Sequence, residues 1–116
     1  MHFKLIIVMS EDERTQDILD TAREAGITGC TVLNQARGEG VKPTKTFLGL
    51  SIDSHVDVIL MLAEQHMSRE IMEKVAIAGE FDELPGTGIA FQIDVEDAIG
   101  VRHQIAALAE AVEERL

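Results

Sequence analysis

The sequence predicts an α+β fold: a ferredoxin-like βαββαβ antiparallel sheet with both long helices on one face, plus a C-terminal helix. Three observations predict it. Apolar β-branched runs alternate with stretches of helical period in the order β-α-β, loop, β-α-β, helix. The two β-α-β halves are similar in size, though alike only in pattern. At 116 residues the chain is long enough for one core and too short for two, so residues 1–116 are read as a single domain.

Lys4 to Met9 forms the first apolar run. Ser10 with Glu13 three residues on has the pattern of a capping box, which places the start of the first helix there. Ile18, Leu19, Ala22 and Ala25 fall at helical spacing, and Gly26 then supplies the residue tolerant of positive φ at which a helix stops. Thr28 to Ala36 reads as strand. Arg37 to Thr46 has glycines, a proline and no apolar period, so a flexible loop is expected over about 37–46. Phe47 to Ile52 suits a short strand and His55 to Leu62 a long one. Ser68 is placed as the cap of the second helix, whose stripe is Ile71, Met72, Val75 and Ala76 before Gly79. Ile89 to Val95 completes the core strands. Ile105, Leu108, Ala109, Val112 and Leu116 mark a C-terminal helix over about 102–116.

Composition narrows the function. The net charge is −11, only 3% of residues are aromatic, and there is no basic run, which argues against a nucleic-acid groove or an anionic membrane surface. The N-terminal apolar run is too short for a signal peptide or a membrane span. A single cysteine, Cys30, has no internal partner, so a reducing cytoplasm is expected and Cys30 is read as a small core residue. The four histidines, His2, His55, His66 and His103, have no metal-ligand spacing, and no nucleophile sits in a recognisable catalytic motif. No metal and no enzymatic activity are expected.

Leu5 to Met9 and Val58 to Leu62 are apolar without alternation, so both faces of these strands call for burial while two helices cover only one. A C-terminal helix or a second subunit must cover the other, and an oligomer is expected.

Two stretches carry the candidate site. Within Arg37 to Lys45, Arg37, Lys42 and Lys45 oppose Glu39 alone, a local charge of +2 (3 − 1) in a chain of −11. The glycines Gly38 and Gly40 let that loop order on a partner. The second stretch, LPGTGIAFQIDVEDAIGVR, opens with Gly86-Thr87-Gly88, whose bare backbone could approach a ligand, and ends on Arg102, which could hold an anion. Within one straight strand those ends lie roughly 25 Å apart. A neighbouring subunit, or a turn at 96–100, is needed to join them. Asp94, Glu96 and Asp97 are read as solvated turn carboxylates.

With these residues in place, the chain resembles the PII-like signal-transduction family from Phe3 to about His103. AREAGITGCTV, the glycine-containing loop after it, and GTGIAFQIDVEDAIGVR carry the resemblance. It implies a ferredoxin-like cytoplasmic homotrimer that holds an adenine nucleotide (AMP, ADP or ATP) in clefts between subunits and controls a partner such as a transporter or enzyme. By the same resemblance Gly86, Thr87 and Gly88 match the phosphate-facing turn, Arg102 the second of two arginines, and Thr31 a threonine near the adenine. The loop bearing Arg37, Gly38, Glu39, Gly40, Lys42 and Lys45 matches the effector loop. Ile89 stands where typical members have a phosphate-binding lysine and Gly100 where they have the first arginine, which disfavours tight binding of a triphosphate and points to a ligand of lower charge. The effector loop is shorter and has no tyrosine to uridylylate. The glutamine that helps hold magnesium and 2-oxoglutarate has no clear counterpart.

The reading that follows is a regulatory protein with a small anionic effector. Its rivals are a ligand-independent interaction subunit and a small ferredoxin-like enzyme using Asp94 or His103 as general base.

Overall fold

A computed structural model describes residues 1–37, 46–47, 50–51, 55–103, 105–106 and 109–110. Strand β1 (Phe3–Glu11) leads through a 3-10 turn (Asp12–Arg14) into helix α1 (Thr15–Glu24), and β2 (Cys30–Arg37) follows. Two short strands, β3 (Thr46–Phe47) and β4 (Leu50–Ser51), pair with each other. Strand β5 (His55–Glu64), helix α2 (Gln65–Gly79) and β6 (Gly88–Val95) complete the fold. The main sheet has the order β2-β5-β1-β6 with every neighbour antiparallel. This is the predicted ferredoxin-like arrangement.

The core lies between one sheet face and the two helices. Ile6 and Val8 of β1 and Ile59, Met61 and Ala63 of β5 point one way and meet Ile18, Leu19 and Ala22 of α1 and Met67, Ile71 and Val75 of α2. Period two in the strands and 3.6 in the helices bring these residues to one interface. Burying a side chain of Leu or Ile size contributes about 1.5–3 kcal/mol, so this cluster is the main source of stability.

The helix starts differ from expectation. Ser10 does not cap α1: β1 continues through it, its buried Oγ donates to the Glu11 carbonyl, and the N-cap position falls on Arg14. Ser68 lies inside α2, where its Oγ donates to the Gln65 carbonyl, and Glu64 caps the helix by accepting from the His66 N–H. Two good capping residues were thus each a few positions from the actual boundary, because Ser10 belongs to the sheet and Glu64 reaches the free N–H first. Gly26, at φ +116°, ends α1 as expected.

Of the expected loop, Arg37 ends β2, while Gly38, Glu39, Gly40, Lys42 and Lys45 lie outside the described residues. Of the expected C-terminal helix, 102–103, 105–106 and 109–110 have helical backbone and the remaining positions lie outside the described residues. No helix among the described residues is long and apolar enough to cross a membrane.

Candidate functional site

The glycine turn is assembled from the end of α2. Glu80 takes a left-handed conformation (φ 56°) and its N–H returns to Ala76 and Ile77, which closes the helix. Thr87 is buried, and its hydroxyl lies 3.0 Å from the Glu80 carbonyl and 3.0 Å from that of Leu84, donating within the turn. Gly86 has φ 81°, a conformation that side chains disfavour. At Gly88 an added Cβ would run into the Phe81 ring and lie 2.6 Å from the Met9 carbonyl oxygen, so both β1 and Phe81 require glycine there. The Thr87 hydroxyl is therefore committed to shaping the turn, and what the turn can offer a ligand is its backbone.

Arg14 fastens this turn to the start of α1. It donates to the Gly79 carbonyl at 3.2 Å and to the Glu80 carboxyl at 2.9 Å, with Glu11 at 3.6 Å. The Glu80 hydrogen bond above all raises the already high pKa of the guanidinium. The Glu11 N–H donates to the Thr87 carbonyl at 3.2 Å, a second tie between β1 and the turn.

The register shows which candidates share an end of the sheet. Gly88 pairs with Ser10, Ser10 with Asp57, and Asp57 faces the two residues, Asn34 and Gln35, that form a bulge in β2. Arg37 pairs with His55 at that same end. The glycine turn and the end of β2 therefore lie at the same end of the sheet, on its two opposite edge strands. Arg102 follows seven residues after Val95, the far end of β6, which is about 23 Å of strand from Gly88 at about 3.3 Å per residue.

Thr31 is exposed in β2 opposite Leu60, on the sheet face away from the helices. That face is built of matched rows. Ile93 stands beside Leu5 and Leu62; Phe91 beside Ile7, Leu60 and Thr31; Ile89 beside Met9, Val58 and Leu33. Leu33 and Ile93 are 52% and 49% exposed, so this apolar face is open to a partner. Ile89 belongs to it. Gly100 has φ 88°, where a side chain would strain the backbone.

Asp94 lies on β6, not in the turn beyond it, and accepts from Lys4 and His2 across β1. The Lys4 hydrogen bond, then that of His2, holds its carboxyl below the usual range, which makes it a poor proton acceptor at neutral pH. His103 is exposed. Cys30 is half-buried against the core. Among the described residues no group of three or more His, Cys, Asp or Glu could hold a metal ion.

An open groove of about 490 Å³ runs between α2 and β6, lined by Met72, Ile77 and Phe81 with Glu73, Asp82 and Glu83. Among the described residues its one cationic lining residue, Arg69, pairs with Glu73 at 2.9 Å, so the described lining is acidic and does not suit a phosphate. Sequence reasoning missed three residues that organise the site: Arg14, Asp57 and Phe81. A lone charged residue in the apolar run HVDVILML was the available signal for Asp57.

Residues 3–104 match the model of the family "Nitrogen regulatory protein P-II". The chain belongs to the nitrogen regulatory protein P-II family. Among solved structures, CPII of Thiomonas intermedia K12 bound to ADP, AMP and acetate superposes with a TM-score of 0.67 at 17% identity, covering 86% of this chain and 92% of that one. A PII-like signalling protein of Thermus thermophilus gives 0.61 at 17% identity over 82% and 87% of the two chains. The apo form of the Thiomonas protein gives 0.63 at 17% identity over 82% and 90%. No curated protein sequence matches the chain significantly.

Proposed function

We propose that this protein is a cytoplasmic regulatory homotrimer that binds an adenine nucleotide in the clefts between subunits and passes the binding state to a partner protein through the segment after Ala36. The observation that carries this reading is the apolar sheet face that one chain leaves open, and the length of β6 between Gly88 and Val95, after which Arg102 follows, supports it. A second copy seated on Leu5, Ile7, Met9, Leu60 and Phe91 would bury that face, and it is the route by which an Arg102 can meet another chain's glycine turn. Family membership supports a regulatory role, and the related fold of CPII holds ADP and AMP.

In this reading the backbone of Gly86 to Gly88 faces the phosphates, Arg102 neutralises them, and Thr31 contacts the base. Ile89 and Gly100 leave the cleft two cations short of the typical set, so AMP or ADP is preferred over ATP. Binding transmits a signal only where the nucleotide favours one state of the effector segment, Arg37 to Lys45, over the other. Titration calorimetry with AMP, ADP, ATP and cyclic nucleotides tests the reading. Binding of AMP or ADP that Arg102→Ala weakens supports it, and an absence of heat with all four contradicts it. A pull-down of partners that survives Arg102→Ala and Gly86→Val but is lost on deleting residues 38–45 would select a ligand-independent interaction subunit.

A further inference from the structure

We infer that Asp57 is a positioning residue that couples the glycine turn to the end of β2, where the effector segment leaves the sheet. The inference rests on and deepens the proposed function, since it names the connection by which a ligand at the turn would be felt at the segment.

Asp57 is 5% exposed and precedes the buried Ile59, Met61 and Ala63 on the helix-facing side of β5. A buried carboxyl group is costly unless its oxygens find donors, and here each oxygen finds one on a different element. The Thr15 hydroxyl, itself buried on the first residue of α1, donates to one oxygen at 2.7 Å. The Gln35 backbone N–H donates to the other at 3.3 Å. Gln35 has φ 59°, a left-handed conformation uncommon for any residue but glycine, asparagine or aspartate. Such backbone persists only where its surroundings hold it, and Asp57 is the group that does so. Two residues after this bulge β2 ends at Arg37.

The other side of Asp57 leads to the turn. Thr15 follows Arg14, which grips the Gly79 carbonyl and the Glu80 carboxyl, and Glu11 on the same connection donates to the Thr87 carbonyl. Asp57 is also the cross-strand neighbour of Ser10, which is the neighbour of Gly88. A displacement of the turn thus reaches Asp57 both through the start of α1 and along one row of the sheet. Gln35 is the strained element that can respond, because releasing its N–H removes the restraint on its left-handed backbone.

The test is amide hydrogen exchange on the full chain, comparing wild type with Asp57→Ala and with Thr15→Val, which removes one donor and leaves the carboxyl. Coupling predicts that each variant raises exchange at least fivefold in two separate peptides, residues 34–37 and residues 84–88, while the α2 core around Ile71 to Val75 is unchanged. Asp57→Asn, which keeps an acceptor for the Gln35 N–H, should bring 34–37 back to within about twofold of wild type. Faster exchange confined to 34–37, with 84–88 unmoved in both variants, overturns the inference. Should Asp57→Ala fail to fold, Thr15→Val alone decides. A second arm adds ADP: wild type should gain protection at 34–37 that Thr15→Val loses, with the ADP dissociation constant changed less than threefold. If wild type binds no ADP, the proposed nucleotide function fails while the ligand-free arm still decides the coupling.

Discussion

Replacing Gly88 with alanine adds one methyl group at a position the structure cannot accommodate. The added carbon would overlap the edge of the Phe81 ring and lie 2.6 Å from the Met9 carbonyl oxygen. The ring can rotate away at some cost in packing. The carbonyl cannot, since it belongs to the strand that pairs with β6 through Ser10 to Gly88 and Met9 to Ile89. Forcing an extra carbon into packed structure costs about 1–3 kcal/mol. For a chain of 116 residues, each kcal/mol lowers Tm by roughly 3–6 °C, so a fall of roughly 6–12 °C is expected at the middle of that range. Gly29 is the control, because a Cβ there meets nothing within 4 Å and its φ lies outside the left-handed region. Gly29→Ala should leave Tm within about 3 °C of wild type or raise it slightly. Adding Phe81→Leu to Gly88→Ala should recover part of the loss but not all, as the Met9 contact stays. Thermal melts at fixed protein concentration, followed by circular dichroism, supply the comparison. A Gly88→Ala variant that melts within about 2 °C of wild type would refute the packing argument and return Gly88 to an exclusively ligand-facing role.

Further predictions concern charge. Asp94 is held below the usual carboxyl range by Lys4 and then His2, so its contribution to stability is present above the unfolded-state pKa, near about 3.9, and is lost as pH falls through the lower folded-state value. Asp94→Asn should accordingly lower stability slightly at pH 7 and leave it unchanged relative to wild type at about pH 2, as read by urea midpoints at the two values; the side chain is 64% exposed, so 1 M salt should shrink the difference. Equal midpoints at pH 7 would show that the cluster contributes nothing. Arg102→Ala should weaken ADP binding roughly tenfold or more, the loss of one charge-assisted hydrogen bond, with Tm unchanged because the side chain is exposed. An unchanged dissociation constant would remove Arg102 from the site.

The strands and the two central helices were legible because continuous apolar runs of strand length and apolar residues at period 3.6 leave few alternatives: Ile71 falls in the core where its spacing puts it, while the unalternating runs left open which strand residues, such as Ile6, Val8 and Ile59, face the helices. Helix starts were less legible. Ser10 and Ser68 carry the chemistry of caps, yet each donates to a carbonyl of the element it sits in, Ser10 to Glu11 and Ser68 to Gln65, and nothing local distinguishes such a serine from one that caps. The glycines were legible as a turn, but the separate reasons for Gly86 and Gly88 were not, since the Gly88 contacts come from Met9 and Phe81, distant in sequence or across a turn. Asp57 and Arg14 are further beyond the sequence. Their partners, Thr15, Gln35 and Glu80, lie 42, 22 and 66 residues away, and only the fold brings each pair together.

In the proposed function the open sheet face meets other copies of this chain and the ligand site is shared between them. Light scattering coupled to size exclusion, run on wild type and on Ile7→Glu with ADP titrated into each, tests it most directly. Ile7 sits in the middle row between Phe91 and Leu60, where a buried carboxylate would find no partner. Wild type should run at three times the chain mass and bind ADP, whereas Ile7→Glu should run as a folded monomer and not bind. Wild-type protein that is monomeric, or an Ile7→Glu monomer that binds ADP as tightly as wild type, would contradict the proposed function.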